Sequence, residues 1–147
     1  WRCPWRFCMA PDDATPLSAA PPAGDTGDAK APAPLESRYT QDTGRVFLNG
    51  TQALVRMMLD QARWGGAAGL STGGLVSGYR GSPLATFDVE LWRANRHLDD
   101  RNIDFLPAVN EDMAATIMAG AQQAEGQPGT TVDGVFGLWY GTGPGVD

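Results

Sequence analysis

The chain has 147 residues and a formal net charge of −6, with 42% hydrophobic and 19% charged residues. One domain of ~150 residues buries roughly two-thirds of its unfolded surface, so a true core is within reach. Eleven basic against seventeen acidic residues argue against a nucleic-acid backbone binder, no apolar run nears the ~20 residues that cross a bilayer, and two cysteines with one histidine cannot fill a four-ligand metal or cluster site.

Seven of the eleven prolines fall in residues 1–40, and residues 10–34 hold one large aliphatic side chain, Leu17, and no aromatic. Such a segment cannot offset ~1–2 kcal/mol per residue of backbone ordering. Residues 1–38 therefore read as a disordered leader. Asp12, Asp13, Asp25 and Asp28 distinguish it from an acid-poor transit peptide, and no apolar stretch of signal length follows Arg2 and Arg6. The chain opens on Trp1, and Met9 begins the proline-rich stretch. Either the chain is a fragment, or residues 1–8 lie upstream of the natural start. Cys3 and Cys8 have no partners for a metal role.

From Tyr39 onward the pattern is that of a folded unit. Residues 45–48 form a short apolar lead-in, and Asn49-Gly50-Thr51 gives a turn and a helix cap. A helix is expected over 52–64, apolar on more than one side and hence largely buried, with Gly65-Gly66 ending it. Residues 73–79 read as a buried strand. A second helix over 84–98 carries Leu84, Phe87, Leu91 and Leu98 on one stripe, leaving Asp88, Glu90, Arg93 and Arg96 for its wet face. Residues 103–109 are the next strand, which Pro107 demotes to an edge or a departure from the sheet. An Ala- and Gly-rich helix over 111–124 follows. Residues 134–140 form a third apolar strand, and a glycine-rich loop over 141–145 comes after it.

Apolar strands alternating with helices indicate an α/β fold with a parallel sheet covered on both faces. Right-handed crossovers then bring the loops 80–83, 110–112 and 141–145 to one sheet edge, where ligands of such sheets bind.

Each loop has two readings. Asn110 is a good N-cap, and Glu111 and Asp112 in the first turn meet the helix dipole favourably, at ~0.3–1 kcal/mol each. Alternatively, one carboxyl is withdrawn from water, its pKa is raised, and it shares a proton with a ligand nitrogen. Ser82 and Pro83 are ordinary helix-start residues, yet Arg80 and Ser82 on this turn are also suited to an anionic carboxylate. The glycine loop lacks dinucleotide-fingerprint spacing, and Pro144 removes an amide, so a flexible connection or a substrate-covering loop fits better than a phosphate loop. His97 reads as a surface or helix-end residue rather than a catalytic base.

Four runs in order, GRVFLNGTQALVR (44–56), VSGYRGSPL (76–84), VNEDMAAT (109–116) and DGVFGLWYGTGPGVD (133–147), carry a family likeness. They resemble the amino-terminal part of indolepyruvate ferredoxin oxidoreductase, in the long fused form of this 2-oxoacid:ferredoxin oxidoreductase family. The resemblance implies a thiamine-diphosphate-binding fold, with residues 39–147 as a partial pyrimidine-binding domain. It implies oxidative decarboxylation of an aryl 2-oxoacid to an acyl-CoA, using thiamine diphosphate, Mg²⁺ and 4Fe-4S clusters, with ferredoxin as electron acceptor. By position Glu111 resembles the family acid that hydrogen-bonds the N1′ nitrogen of the aminopyrimidine, with Asp112 second. That role requires a carboxyl protonated near neutral pH. Ser82 corresponds to the turn beside the 2-oxoacid, and Arg80 is the second substrate candidate. Thr142 stands where the family usually has a lysine.

The resemblance further implies a cytoplasmic homo-oligomer whose Mg²⁺ and cluster ligands belong to downstream domains, so that this piece alone is inactive. The alternative reading is a non-catalytic nucleotide-binding or regulatory α/β module using the glycine loop.

Overall fold

The computed structural model describes residues 35–81, 84–124 and 127–145. The expected leader lies outside them through residue 34, as do Cys3, Cys8 and Ser82. Ser37 and Arg38, the end of the stretch expected to be disordered, open a short helix α1 over Ser37–Thr40.

Helix α2 spans Gly50–Ala67, starting two residues before the expected 52, and is capped by Asn49 as the sequence suggests. The Asn49 side chain accepts from the Gln52 N–H at 2.9 Å, and the Gln52 side chain accepts from the Asn49 N–H at 3.1 Å. This reciprocal pair satisfies two otherwise unpaired donors. The helix does not stop at Gly65-Gly66. It ends beyond them, where Gly69 takes φ +80° and the Leu70 N–H returns to the Gly65 carbonyl at 2.9 Å. Gly65 serves packing instead, since a Cβ there would lie 2.9 Å from the Thr72 hydroxyl. Only one side of α2 is buried, chiefly Val55, Met58 and Leu59, while Met57 is 47% exposed.

Strands β1 (Thr72–Tyr79), β2 (Ile103–Ala108) and β3 (Gly134–Tyr140) form an all-parallel sheet in the order β2-β1-β3. Pro107 falls on an edge strand, opposite Gly78, where its missing N–H costs least. In register, Val76 stands between Phe105 and Leu138, and Leu75 between Asp104 and Gly137. Because side chains alternate along a strand, these two rows face opposite sides.

Val76 belongs to the main core, with Val55, Met58 and Leu59 of α2 and Ile103 and Tyr140 of the sheet. Phe87 and Leu91 enter it from α3 (Ala85–Arg93), and Leu98 from α4 (Asn95–Asp99). The opposite face is covered by α5 (Glu111–Gln122), close enough that a Cβ on Gly137 would meet the Met118 sulfur. The fold is thus α/β, with a small all-parallel sheet and helices on both faces. Among the described residues no helix is long and apolar enough to cross a membrane.

The second expected helix departs from its reading in three ways. It is broken at Ala94, which is fully buried with φ −89° and ψ 1°. Leu84 is 38% exposed rather than facing the core. Asp88 and Glu90 are buried, not wet. Their burial is made tolerable by a phenol donor from a distant segment and a nearby arginine each: Tyr140 and Arg80 on Asp88, and Tyr39 and Arg93 on Glu90. A carboxylate leaves water at acceptable cost only when its oxygens are so paired.

Candidate functional site

Parallel pairing puts the carboxyl ends of β1, β2 and β3 on one edge, so the three loops that follow them share it. Helix α5 begins there. Asn110 is in extended conformation, and its side chain accepts from the Met113 N–H at 2.9 Å, fixing the first turn. Glu111 and Asp112 then diverge. Asp112 is exposed, whereas Glu111 is only 8% exposed and turns to the loop after β3.

That loop is shaped around the Glu111 side chain. A Cβ on Gly141 would lie 2.5 Å from Glu111 Cγ, and one on Gly145 would lie 2.4 Å from Glu111 Cδ. Only glycine allows the backbone to approach a side chain this closely. Between them, the Thr142 hydroxyl donates to Glu111 Oε1 at 2.6 Å, and the Thr142 N–H donates to the same oxygen at 3.0 Å. A single 3₁₀ turn over Gly143–Gly145 closes the loop.

The electrostatics differ from the expected raised pKa. The Thr142 hydroxyl, and then its N–H, hold the Glu111 carboxyl below its ordinary range, against the opposing effect of burial. Both donors favour the charged acceptor, which outweighs incomplete desolvation. With the loop seated, Glu111 is an ionised acceptor rather than an acid holding its proton.

Arg80 is placed differently. Its Nε lies 3.3 Å from Asp88 Oδ2, and its guanidinium carbon sits 4.6 Å from the centre of the Trp92 ring. The other Asp88 oxygen accepts from the Tyr140 hydroxyl at the end of β3. Burial first, then donation to Asp88, pushes the Tyr140 phenol well above its usual range. Sequence reasoning placed Thr142 on this edge but not against Glu111, and it missed Asp88 and Tyr140 there. The signals were present as a threonine inside a glycine loop and an acid directly after Phe87 of the core stripe. Neither reveals its partner.

His97 lies elsewhere. Its ring is 5.5 Å from that of Tyr39, beside a cavity of about 160 Å³ also lined by Arg63, Asp100 and Arg101, ahead of β2 rather than after a strand. Arg63 is already paired there with Asp42 and Asp60. Among the described residues no group of three or more His, Cys, Asp or Glu side chains could hold a metal ion. No family model matches the chain, and no curated protein or solved structure matches it.

Proposed function

We propose that residues 39–147 supply the aminopyrimidine side of a thiamine diphosphate site in an indolepyruvate-type 2-oxoacid:ferredoxin oxidoreductase. The observation that carries this reading is the buried carboxyl of Glu111 at the carboxyl edge, enclosed by Gly141 and Gly145. A carboxyl withdrawn from water at a strand–helix junction is the group needed to share a proton with a heterocyclic nitrogen. The four sequence runs given above are its second support.

The residues fit the pyrimidine ring on condition that Thr142 yields. Its hydroxyl and N–H take Glu111 Oε1, so the loop 141–145 would have to withdraw for the ring to reach that oxygen. Losing both donors would remove the two largest causes that lower the Glu111 pKa, and a ring seated in the loop's place would keep water from the carboxyl, which favours the protonated form its role requires. Glu111 would then hold that proton at the N1′ nitrogen, and Ser82 and Arg80 would orient the carboxylate of an aryl 2-oxoacid. When bound, the cofactor supplies the electron sink for decarboxylation. The diphosphate, its Mg²⁺, the 4Fe-4S clusters, coenzyme A and ferredoxin are engaged by other domains of a cytoplasmic homo-oligomer.

A nucleotide-binding module is the weaker reading. The Thr142 N–H of the glycine loop is spent on Glu111, and an ionised carboxylate beside that loop repels phosphate.

The test is Glu111→Gln in the complete enzyme. Turnover is expected to fall by about 10²–10⁴-fold with the fold intact. Near-normal decarboxylation reduces Glu111 to a helix-start residue and ends this reading.

A further inference from the structure

The turn that carries Arg80 is held on both sides. A Cβ on Gly78 would lie 2.4 Å from the Tyr140 carbonyl oxygen, so β1 and β3 meet closely just before it. A Cβ on Gly81 would lie 2.6 Å from the Tyr79 ring, so that ring folds over its own turn. Arg80 itself is 61% exposed, yet its Nε is tied to Asp88, which is 3% exposed, and its guanidinium carbon lies over the Trp92 ring. Both Asp88 oxygens are used, one by Arg80 and one by Tyr140.

An exposed arginine ordinarily loses much rotamer freedom when it binds an anion, and that loss weakens binding. Here the loss has been met in folding. The two terminal nitrogens make no hydrogen bond among the described residues, and they form the planar fork that matches a carboxylate. Asp88 balances part of the guanidinium charge, so a monoanion suits the site better than a phosphate dianion. Trp92 and Tyr79, both partly exposed, offer aromatic surface beside it.

We propose that Asp88 and Tyr140 are positioning residues for Arg80, and that Arg80 with Trp92 forms a receptor for an aromatic monocarboxylate. This deepens the assignment of Arg80 to the substrate carboxylate and rests on it, but it is measurable without cofactor.

The experiment titrates the 147-residue chain with phenylpyruvate and follows the Arg80 Nε–H and Trp92 indole N–H signals by NMR. Both signals are expected to shift saturably, and inorganic phosphate at equal concentration is expected to leave them in place. Arg80→Lys keeps a charge but cannot hold Asp88 and also present two coplanar donors, so affinity falls at least about tenfold. Asp88→Asn weakens binding severalfold, and Asp88→Glu restores part of it, which a purely structural ion pair would not do. The inference is overturned by absence of a saturable shift, by an equal shift with neutral phenylacetamide, or by undiminished binding to Arg80→Lys, a surface change that spares the fold. Loss of turnover in Glu111→Gln together with no carboxylate shift would sink this inference alone. A carboxylate shift with normal Glu111→Gln turnover would sink only the thiamine reading.

Discussion

Thr142 gives both its hydroxyl and its backbone N–H to a single oxygen of Glu111, a residue 31 positions earlier. This one contact joins the start of α5 to the loop after β3 and fixes the charge of the carboxyl.

It has a consequence in acid. Because the folded pKa of Glu111 lies below its ordinary 4.5, the stabilisation from this contact is present above that value. It is lost as pH falls through the folded pKa. Thr142→Val removes the hydroxyl, the larger of the two causes, and keeps the N–H. The Glu111 carboxyl is then expected to titrate nearer its ordinary value by carbon-detected NMR. The gap in Tm between the wild type and Thr142→Val should close as the pH falls below the ordinary carboxyl value and through the lower folded one. A gap independent of pH would mean that the threonine acts only by packing.

Tyr140 predicts the opposite limb. Its phenol is raised above the ordinary 10.0 by burial and then by donation to Asp88. The folded state therefore holds the proton more tightly than the unfolded state, so this stabilisation is complete below about pH 10 and fades as pH rises beyond it. Tyr140→Phe should cost about 2 kcal/mol at neutral pH, since buried Asp88 loses a donor. It should also flatten the alkaline fall in Tm. Tyrosinate absorbance is expected to show one fewer late-titrating phenol.

Gly78→Ala tests the contact between β1 and β3. The new Cβ would meet a backbone oxygen at 2.4 Å and the Tyr140 ring at 2.5 Å, and neither strand can give way without breaking its ladder. A loss of about 3 kcal/mol is expected in urea unfolding, at the upper end of ordinary overpacking. Gly120→Ala is the control, because a Cβ there meets nothing within 4 Å. That change should be neutral or slightly stabilising, as alanine is the better helix former.

Much of the architecture was legible. The third strand begins and ends where the apolar run 134–140 does, and the caps at Asn49 and Asn110 mark the starts of two helices. These are local signals, carried by strand composition and by side chains that bond three residues ahead. The end of α2 was less legible. Gly65-Gly66 has the composition of a helix stop, but Gly65 is needed where the helix passes Thr72, and the left-handed turn falls at Gly69.

The sequence by itself determined the alternation of strands and helices, the parallel sheet and the edge on which its loops gather. Those follow from hydrophobic period, from chirality and from capping, all of which act over a few residues. Only the tertiary structure decided the state of the acids. Glu111 meets Thr142, Asp88 meets Tyr140 52 residues away, and Glu90 meets Tyr39 51 residues away. Whether a carboxyl is buried, paired or ionised depends on which donors reach it, and those donors arrive only when distant segments pack.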